Sequence, residues 1–128
     1  MTASAPGGTW TVADLRQLAA LRELEISAAK VDGGHGRWRP IWVVVVEGEV
    51  FVRTWHRRNT GWYGGAVRSG RARIRMSGGD PVDAVVTPTG DRAADSVGAA
   101  YLTKYGPGAQ SMVTAEAAAS TLRLMRAS

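Results

Sequence analysis

The residues best suited to chemistry lie close together. Arg53-Thr54-Trp55-His56-Arg57-Arg58-Asn59 runs into Trp62-Tyr63. Guanidinium groups present planar forks of N–H donors that match phosphate or carboxylate oxygens. Loop N–H groups add to such a site, and tryptophans beside it can stack on a flat ring. A second group, Arg37 and Arg39, flanks Trp38. Read together, Arg37, Arg39, Arg53, Thr54, Trp55, Arg57, Arg58 and Trp62 make a candidate site for an anionic, partly aromatic ligand. The competing reading is a solvated turn carrying two core tryptophans.

Other chemistries find less support. His35 and His56 are the only histidines, cysteine is absent, and no carboxylates stand beside the histidines at ligand spacing. No metal site is therefore expected. No G-x-S-x-G elbow occurs, and "GGHGRWR" lacks the lysine and following helix of a phosphate-binding P-loop. The net charge is +5, from 16 Lys+Arg against 11 Asp+Glu, and only Lys30 and Lys104 are lysines. Arg71, Arg73 and Arg75 fall on one strand face. They would either bind nucleic acid or form a solvated face paired with Glu23 and Glu25. No aromatic interleaves them as a stacking platform requires, which argues against nucleic acid as a partner.

The elements that must position these residues read as follows. Residues 1–8 are small and Pro/Gly-rich and are expected to be a flexible tail, with one domain over 9–128. Thr11 and Asp14 are spaced as a capping box for a helix that buries Val12, Leu15, Leu18 and Ala19. "RELEISAA" alternates, with Leu24, Ile26 and Ala28 inward. Ile41–Val46 is β-branched and apolar on both faces, which predicts a central strand. Glu47-Gly48 turns the chain, and Glu49–Trp55 returns with Val50, Val52 and Thr54 opposite Phe51, Arg53 and Trp55. Pairing across that turn would bring Arg37 and Arg39 beside Thr54–Arg57. One or two helical turns follow, then strands in "RARIRMS" and "VDAVVTP". A helix from near Asp91 to Gly106-Pro107 should bury Ala94, Val97, Tyr101 and Leu102. The tail reads as a short helix or loop and then a strand in "STLRLMR". Hairpin-linked strands of this number close into a barrel or a sandwich.

At "GRWRPIWVVVVEGEVFVRTWHRRNTGWYGGAVRSGRARI" the chain resembles the split β-barrel flavin-binding superfamily of pyridoxamine-phosphate oxidases and deazaflavin-dependent nitroreductases. Arg39-Pro40, Thr54, Arg57-Arg58 and Trp62-Tyr63 sit where that group has its arginine-proline, strand-end Thr/Ser, basic turn and Trp-Tyr helix. Over nearly its whole length the chain is more similar to a small bacterial family of unknown function with this fold. The resemblance implies a mainly β fold with flanking helices (α+β), a six-stranded antiparallel split β-barrel. It also implies a homodimer with its cofactor, FMN or a deazaflavin, at the interface. Thr54, Arg57 and Arg58 would hold the cofactor phosphate, and Arg37 or Arg39 would lie against the ring or phosphate.

The expected function is a flavin- or deazaflavin-dependent oxidoreductase acting on an unknown small molecule, with His56 or Tyr63 as proton donors. The alternative is a cofactor-free ligand-binding or accessory protein that keeps the barrel. The apolar excess at Val43 and Val45 also points to a homodimer. With no signal-peptide pattern, no span of about 20 apolar residues and no cysteine, the expectation is a cytoplasmic protein without a membrane segment.

Overall fold

The structure is a computed structural model that describes residues 7–8, 10–30, 32, 34–54, 61–76, 79–89 and 94–127. Thr11 caps α1 (Val12–Ala20). Its Oγ1 accepts from Asp14 N at 3.0 Å, and Asp14 Oδ2 accepts from Thr11 N at 3.3 Å, completing the capping box. Leu18 is the buried residue of this helix, whereas Val12 is 67% exposed and Ala19 is exposed. The expected four-residue stripe is thus narrower: Leu18 is buried and Leu15 packs partly against the core, while Val12 and Ala19 at its two margins face out.

Eight antiparallel strands occur among the described residues: β1 (Gly7–Gly8), β2 (Leu24–Ala28), β3 (Arg39–Ile41), β4 (Val44–Val46), β5 (Glu49–Val52), β6 (Arg71–Arg75), β7 (Val82–Pro88) and β8 (Leu122–Ala127). They run in the order β3-β2-β6-β7-β8-β5-β4, with β1 paired to the end of β8. Gly7 and Gly8, placed in the tail by sequence, therefore pair with Ala127 and Arg126.

The order forces curvature. In a flat sheet of seven strands, the outer two would lie roughly 29 Å apart. The outer strands here, β3 and β4, are joined only through Trp42 and Val43. From Ile41 to Val44 the chain can span at most about 11 Å. The sheet must therefore curl on itself into a split barrel, and Trp42-Val43 is its seam.

This corrects the reading of Ile41–Val46 as one central strand. The run is two three-residue edge strands, and the central place belongs to β7, between β6 and β8. It also raises the strand count from six to eight, through this break and the short β1. The run is apolar on both sides because it faces two cores. Ile41 and Val43 join the barrel interior with Leu24, Ile26, Val52 and Ile74. Val44 packs outside with Phe51, Val97, Tyr101 and Tyr105. On β5 the two sides alternate as expected, Val50 and Val52 inward and Phe51 outward. Glu47 (φ 51°) and Gly48 (φ 78°) make a two-residue turn whose positive φ values match the twist of the hairpin.

The helices cover the outside and one mouth. α2 (Gly61–Ser69) is longer than one or two turns and buries Tyr63, Gly64 and Ala66. It lies so close to β2 that a Cβ on Gly65 would come within 3.2 Å of Ala28 Cβ. α3 (Ala94–Tyr105) buries Val97, Gly98, Tyr101 and Tyr105. Leu102, expected inside, is 38% exposed. It lies about 100° round the helix from Tyr101, off the stripe that Val97, Tyr101 and Tyr105 define. The expected start near Asp91 lies outside the described residues. A 3-10 helix (Gly106–Met112) and α4 (Ala115–Ala119) lead into β8. No helix among the described residues is long and apolar enough to cross a membrane.

Candidate functional site

The β4–β5 ladder ends at Val44 opposite Phe51. Beyond it the two chains part, and a cleft of about 300 Å³ opens between Ile41-Trp42 on one side and Arg53-Thr54 on the other. Trp62 from α2, Met112 and Glu23 complete its walls. The cleft is the split in the barrel. Of the polar residues at the end of the apolar hairpin, Arg53 and Thr54 line this gap.

Arg53 is 1% exposed. Its Nε donates to Thr121 Oγ1, its Nη1 to Met112 O and its Nη2 to Ala94 O, each at 2.8 Å. The guanidinium lies 5.7 Å from the centre of the Tyr101 ring. Burial draws its pKa below the ordinary arginine value, and Tyr101 works the other way. Arg53 thus ties the end of β5 to α3, the 3-10 helix and the start of β8 while bordering the cleft. Thr54 is held by Ser120, whose Oγ accepts from Thr54 N at 3.0 Å and donates to Thr54 O at 2.9 Å.

A second cleft, about 340 Å³, lies on the other side of Trp62. Lys30, Arg37, Arg39 and Arg68 line it, and among the described residues no acidic one does. Its floor is Ala28 with Gly36, Gly61 and Gly65, small enough for a ligand to approach backbone. The glycine turn that precedes it is held in place. Lys30 N donates to Gly34 O at 2.7 Å, Gly36 N to Ala28 O at 2.8 Å and Ser27 Oγ to Gly36 O at 2.7 Å. Arg37 and Arg39 share one side of the extended chain because side chains alternate along a strand. Trp38, on the opposite side, lies under the Arg75 guanidinium at 4.2 Å.

Five of the eight expected residues are thus gathered at Trp62: Arg53, Thr54 and Trp62 on the first cleft, and Arg37, Arg39 and Trp62 on the second. Trp55, Arg57 and Arg58, with His56, lie outside the described residues. The expected pairing of Arg37 and Arg39 across the Glu47-Gly48 turn does not occur: Arg39 pairs with β2, and these two arginines share with Arg53 and Thr54 only the neighbour Trp62, which lines both clefts. Lys30 and Arg68 were not among the expected residues. Arg68 follows Trp62 and Gly65 at intervals of three, a shared helix face that becomes visible once α2 reaches Ser69.

The arginine ladder of β6 is a paired outer face. Arg73 Nε lies 3.3 Å from Asp83 Oδ1 and Arg75 Nε 2.9 Å from Glu25 Oε1. Among the described residues no group of three His, Cys, Asp or Glu could hold a metal ion.

A family model matches residues 14–124 of the 128. The chain belongs to DUF2255, an uncharacterized protein family conserved in bacteria. No curated protein matches this DUF2255 chain. Among solved structures it is similar to a conserved hypothetical protein from Mycobacterium tuberculosis, at 16% identity over 97% of this chain and 83% of that one, with a TM-score of 0.63. It is similar to an FAD-binding protein from Mesorhizobium loti at 14% identity, over 94% and 92% of the two chains, with a TM-score of 0.58. It is also similar to an F420 reductase at 11% identity, over 88% and 91%, with a TM-score of 0.54. The expected resemblance holds at the level of fold: a DUF2255 chain with the curled sheet of flavin-type binding proteins.

Proposed function

We propose that this DUF2255 protein binds a flavin-type cofactor, FMN or a deazaflavin, across the two clefts and serves as an oxidoreductase for a small molecule. The observation that carries the proposal is the placement of Trp62 between an aromatic-walled cleft and a cleft lined by Lys30, Arg37 and Arg39. Each cleft sits at the small end of ligand pockets, roughly 300–1,000 Å³, so a flavin-sized molecule needs both. In this reading Arg37 and Arg39, with Lys30 and Arg68, receive the anionic tail. Trp62 and Trp42 flank the ring and Thr54 borders it, while the phosphate role expected of Arg57 and Arg58 falls on residues outside those described. Arg53 acts as a positioning residue, since its hydrogen bonds go to the protein's own oxygens. A bound flavin supplies hydride transfer, and the chain supplies binding and orientation.

Two copies complete the site in this proposal. The apolar excess at Val43 and Val45 that first suggested a dimer is covered within one chain at Val43, which is buried, and in part at Val45, which is half-buried against the barrel core. The support is instead the shallowness of two clefts that must enclose a flat ring. Light scattering at micromolar concentration is expected to give a dimer, and a monomer at all concentrations would remove this part.

The deciding experiment is the visible absorption spectrum of the purified protein, repeated after adding FMN and a deazaflavin, with quenching of tryptophan fluorescence as a second readout. Saturable quenching by one of them is the expected result. If neither binds at high micromolar concentration, the cofactor-free ligand-binding module is the better account.

A further inference from the structure

A third cleft, about 510 Å³, shares no described lining residue with the two at Trp62. Its floor is β4, and α1 and α3 wall it with Ala19, Ala99 and Ala100. β4 ends the sheet order, so one of its edges has no neighbouring strand. The Glu47-Gly48 turn decides which groups that edge presents. In a two-residue turn with both φ values positive, the flanking residues exchange both ladder hydrogen bonds, here Val46 and Glu49. Val44 and Phe51 do the same, and the intervening Val45 turns its N–H and C=O away from β5. Val43 follows the same alternation, and its outward groups are taken. Val43 N donates to Tyr105 Oη at 3.1 Å, and Val43 O accepts from Lys104 Nζ at 2.7 Å. Among the described residues nothing takes those of Val45.

The groove thus holds one open ladder position, closed off at the Val43 end by Lys104. Its Nζ also donates to Leu18 O at 3.1 Å, which ties α3 to the end of α1. Two carbonyls leave an ammonium one N–H to donate. Lys104 and Arg22 lie 5.2 and 5.4 Å from the centre of the Tyr105 ring, and no acid stands among the described lining residues. The neighbouring Glu23 opens onto the first cleft instead.

We propose that this groove captures the C-terminus of an apolar peptide, which pairs antiparallel with Val45 and sets its carboxylate at Lys104. An unpaired backbone N–H and C=O at a strand edge are completed by another backbone. The blocked end admits a chain that stops there and not one that runs on. β4 starts beside that end, at Val44, so an antiparallel partner ends there. A parallel partner would begin there and bring its own ammonium against Lys104. A carboxylate instead meets the remaining N–H of the lysine. Alanine and valine walls take small apolar side chains.

The probe is a fluorescein-labelled peptide of sequence GSGAVAV with a free carboxylate, titrated by anisotropy at pH 6.5. Saturable binding is expected. It should be about tenfold or more weaker for the C-terminal amide and for Lys104→Met, each of which removes a charge-assisted hydrogen bond. Ala99→Phe, at an exposed wall position, should fill the groove and weaken binding with Tm unchanged. Amide hydrogen exchange locates the peptide: Val45 should slow about tenfold at a peptide concentration of about ten times Kd. The proposal is overturned if the acid does not bind at millimolar concentration, if the amide binds as well as the acid, or if Val45 exchange is unchanged at saturation. Slowing of Val45 with protein concentration alone would give the edge to a second copy and overturn it likewise.

Discussion

Arg53 and the pair Arg37 and Arg39 are the same residue type at the two sides of Trp62, and they do opposite work. Arg53 is enclosed, with three N–H donors on protein oxygens. Arg37 and Arg39 are exposed along a cleft with no acid among its described lining residues. A buried guanidinium is tolerated only where acceptors replace its water, so it becomes part of the architecture. An exposed one keeps its hydration and can trade water for a ligand's oxygens. Burial, rather than residue type, separates the framework of this site from its binding surface.

Removing the framework arginine should have the largest effect. Arg53→Met leaves Met112 O and Ala94 O without their donor in a dry region. It should lower stability by about 3–5 kcal/mol, the cost of breaking a buried charged network. Urea denaturation measures it. A loss under about 1 kcal/mol would mean that the surroundings relax, and the contrast with Arg37 and Arg39 would collapse.

The next effect falls on binding. Arg37→Ala with Arg39→Ala should leave stability within about 0.5 kcal/mol, as surface changes do. Two lost charge-assisted hydrogen bonds, each about 1.5–3 kcal/mol, should weaken cofactor affinity by about 100-fold or more. Raised salt should weaken the wild type in the same direction, because these contacts are open to solvent. Titration of FMN and a deazaflavin, with Tm as the fold control, reads both. Unchanged affinity in the double variant would move the anion off this cleft.

This contrast explains how much of the molecule was legible in its sequence. Strands with one wet face were plain. In β6 the exposed Arg71 and Arg73 and the half-buried Arg75 alternate with the buried Ala72 and Ile74. The capping box and the Glu47-Gly48 turn were local and equally plain. Ile41–Val46 was opaque because burial on both faces looks the same whether neighbouring strands or helices do the covering. The break at Trp42-Val43 depends on the ends of the sheet meeting, a long-range fact. For the site, Arg37, Arg39, Arg53, Thr54 and Trp62 were legible as residues. That Arg53 is inside was not, because nothing in its neighbourhood announces acceptors at Ala94, Met112 and Thr121.

A smaller effect concerns pH. Lys104 falls from 10.5 to about 8 in the folded protein, through partial burial and Arg22. Between those values the unfolded chain binds the proton and the folded one does not, so stability should rise with pH from about 8. Tyr101 and Tyr105 work oppositely. Burial raises both above the ordinary 10.0, so above about pH 10 the unfolded chain alone releases these protons and stability should fall. Urea midpoints from pH 7 to 11 should therefore pass through a maximum. Lys104→Met should flatten the rising limb and leave the falling one. A rising limb that persists in Lys104→Met would assign it to another group.

The smallest expected change, Tyr101→Phe, sharpens the comparison from inside the framework. Tyr101 is 0% exposed, and among the described residues no donor or acceptor reaches its hydroxyl in good hydrogen-bond geometry, the Arg53 backbone being the polar group nearest to acting on it. The ring faces the Arg53 guanidinium at 5.7 Å, and Phe keeps that face. Removing the oxygen strands no partner and relieves the desolvation of a polar group, so stability should hold or rise by up to about 1 kcal/mol. The alkaline falling limb should shrink in the same variant, since one of its two phenols is gone. Both readouts come from one set of urea curves. A loss of more than about 1 kcal/mol would show that the hydroxyl has a partner and that Arg53 and Tyr101 form one polar network. The framework would then be held from α3 as well as from β5, and the phenol would join Arg53 as a residue that positions the first cleft.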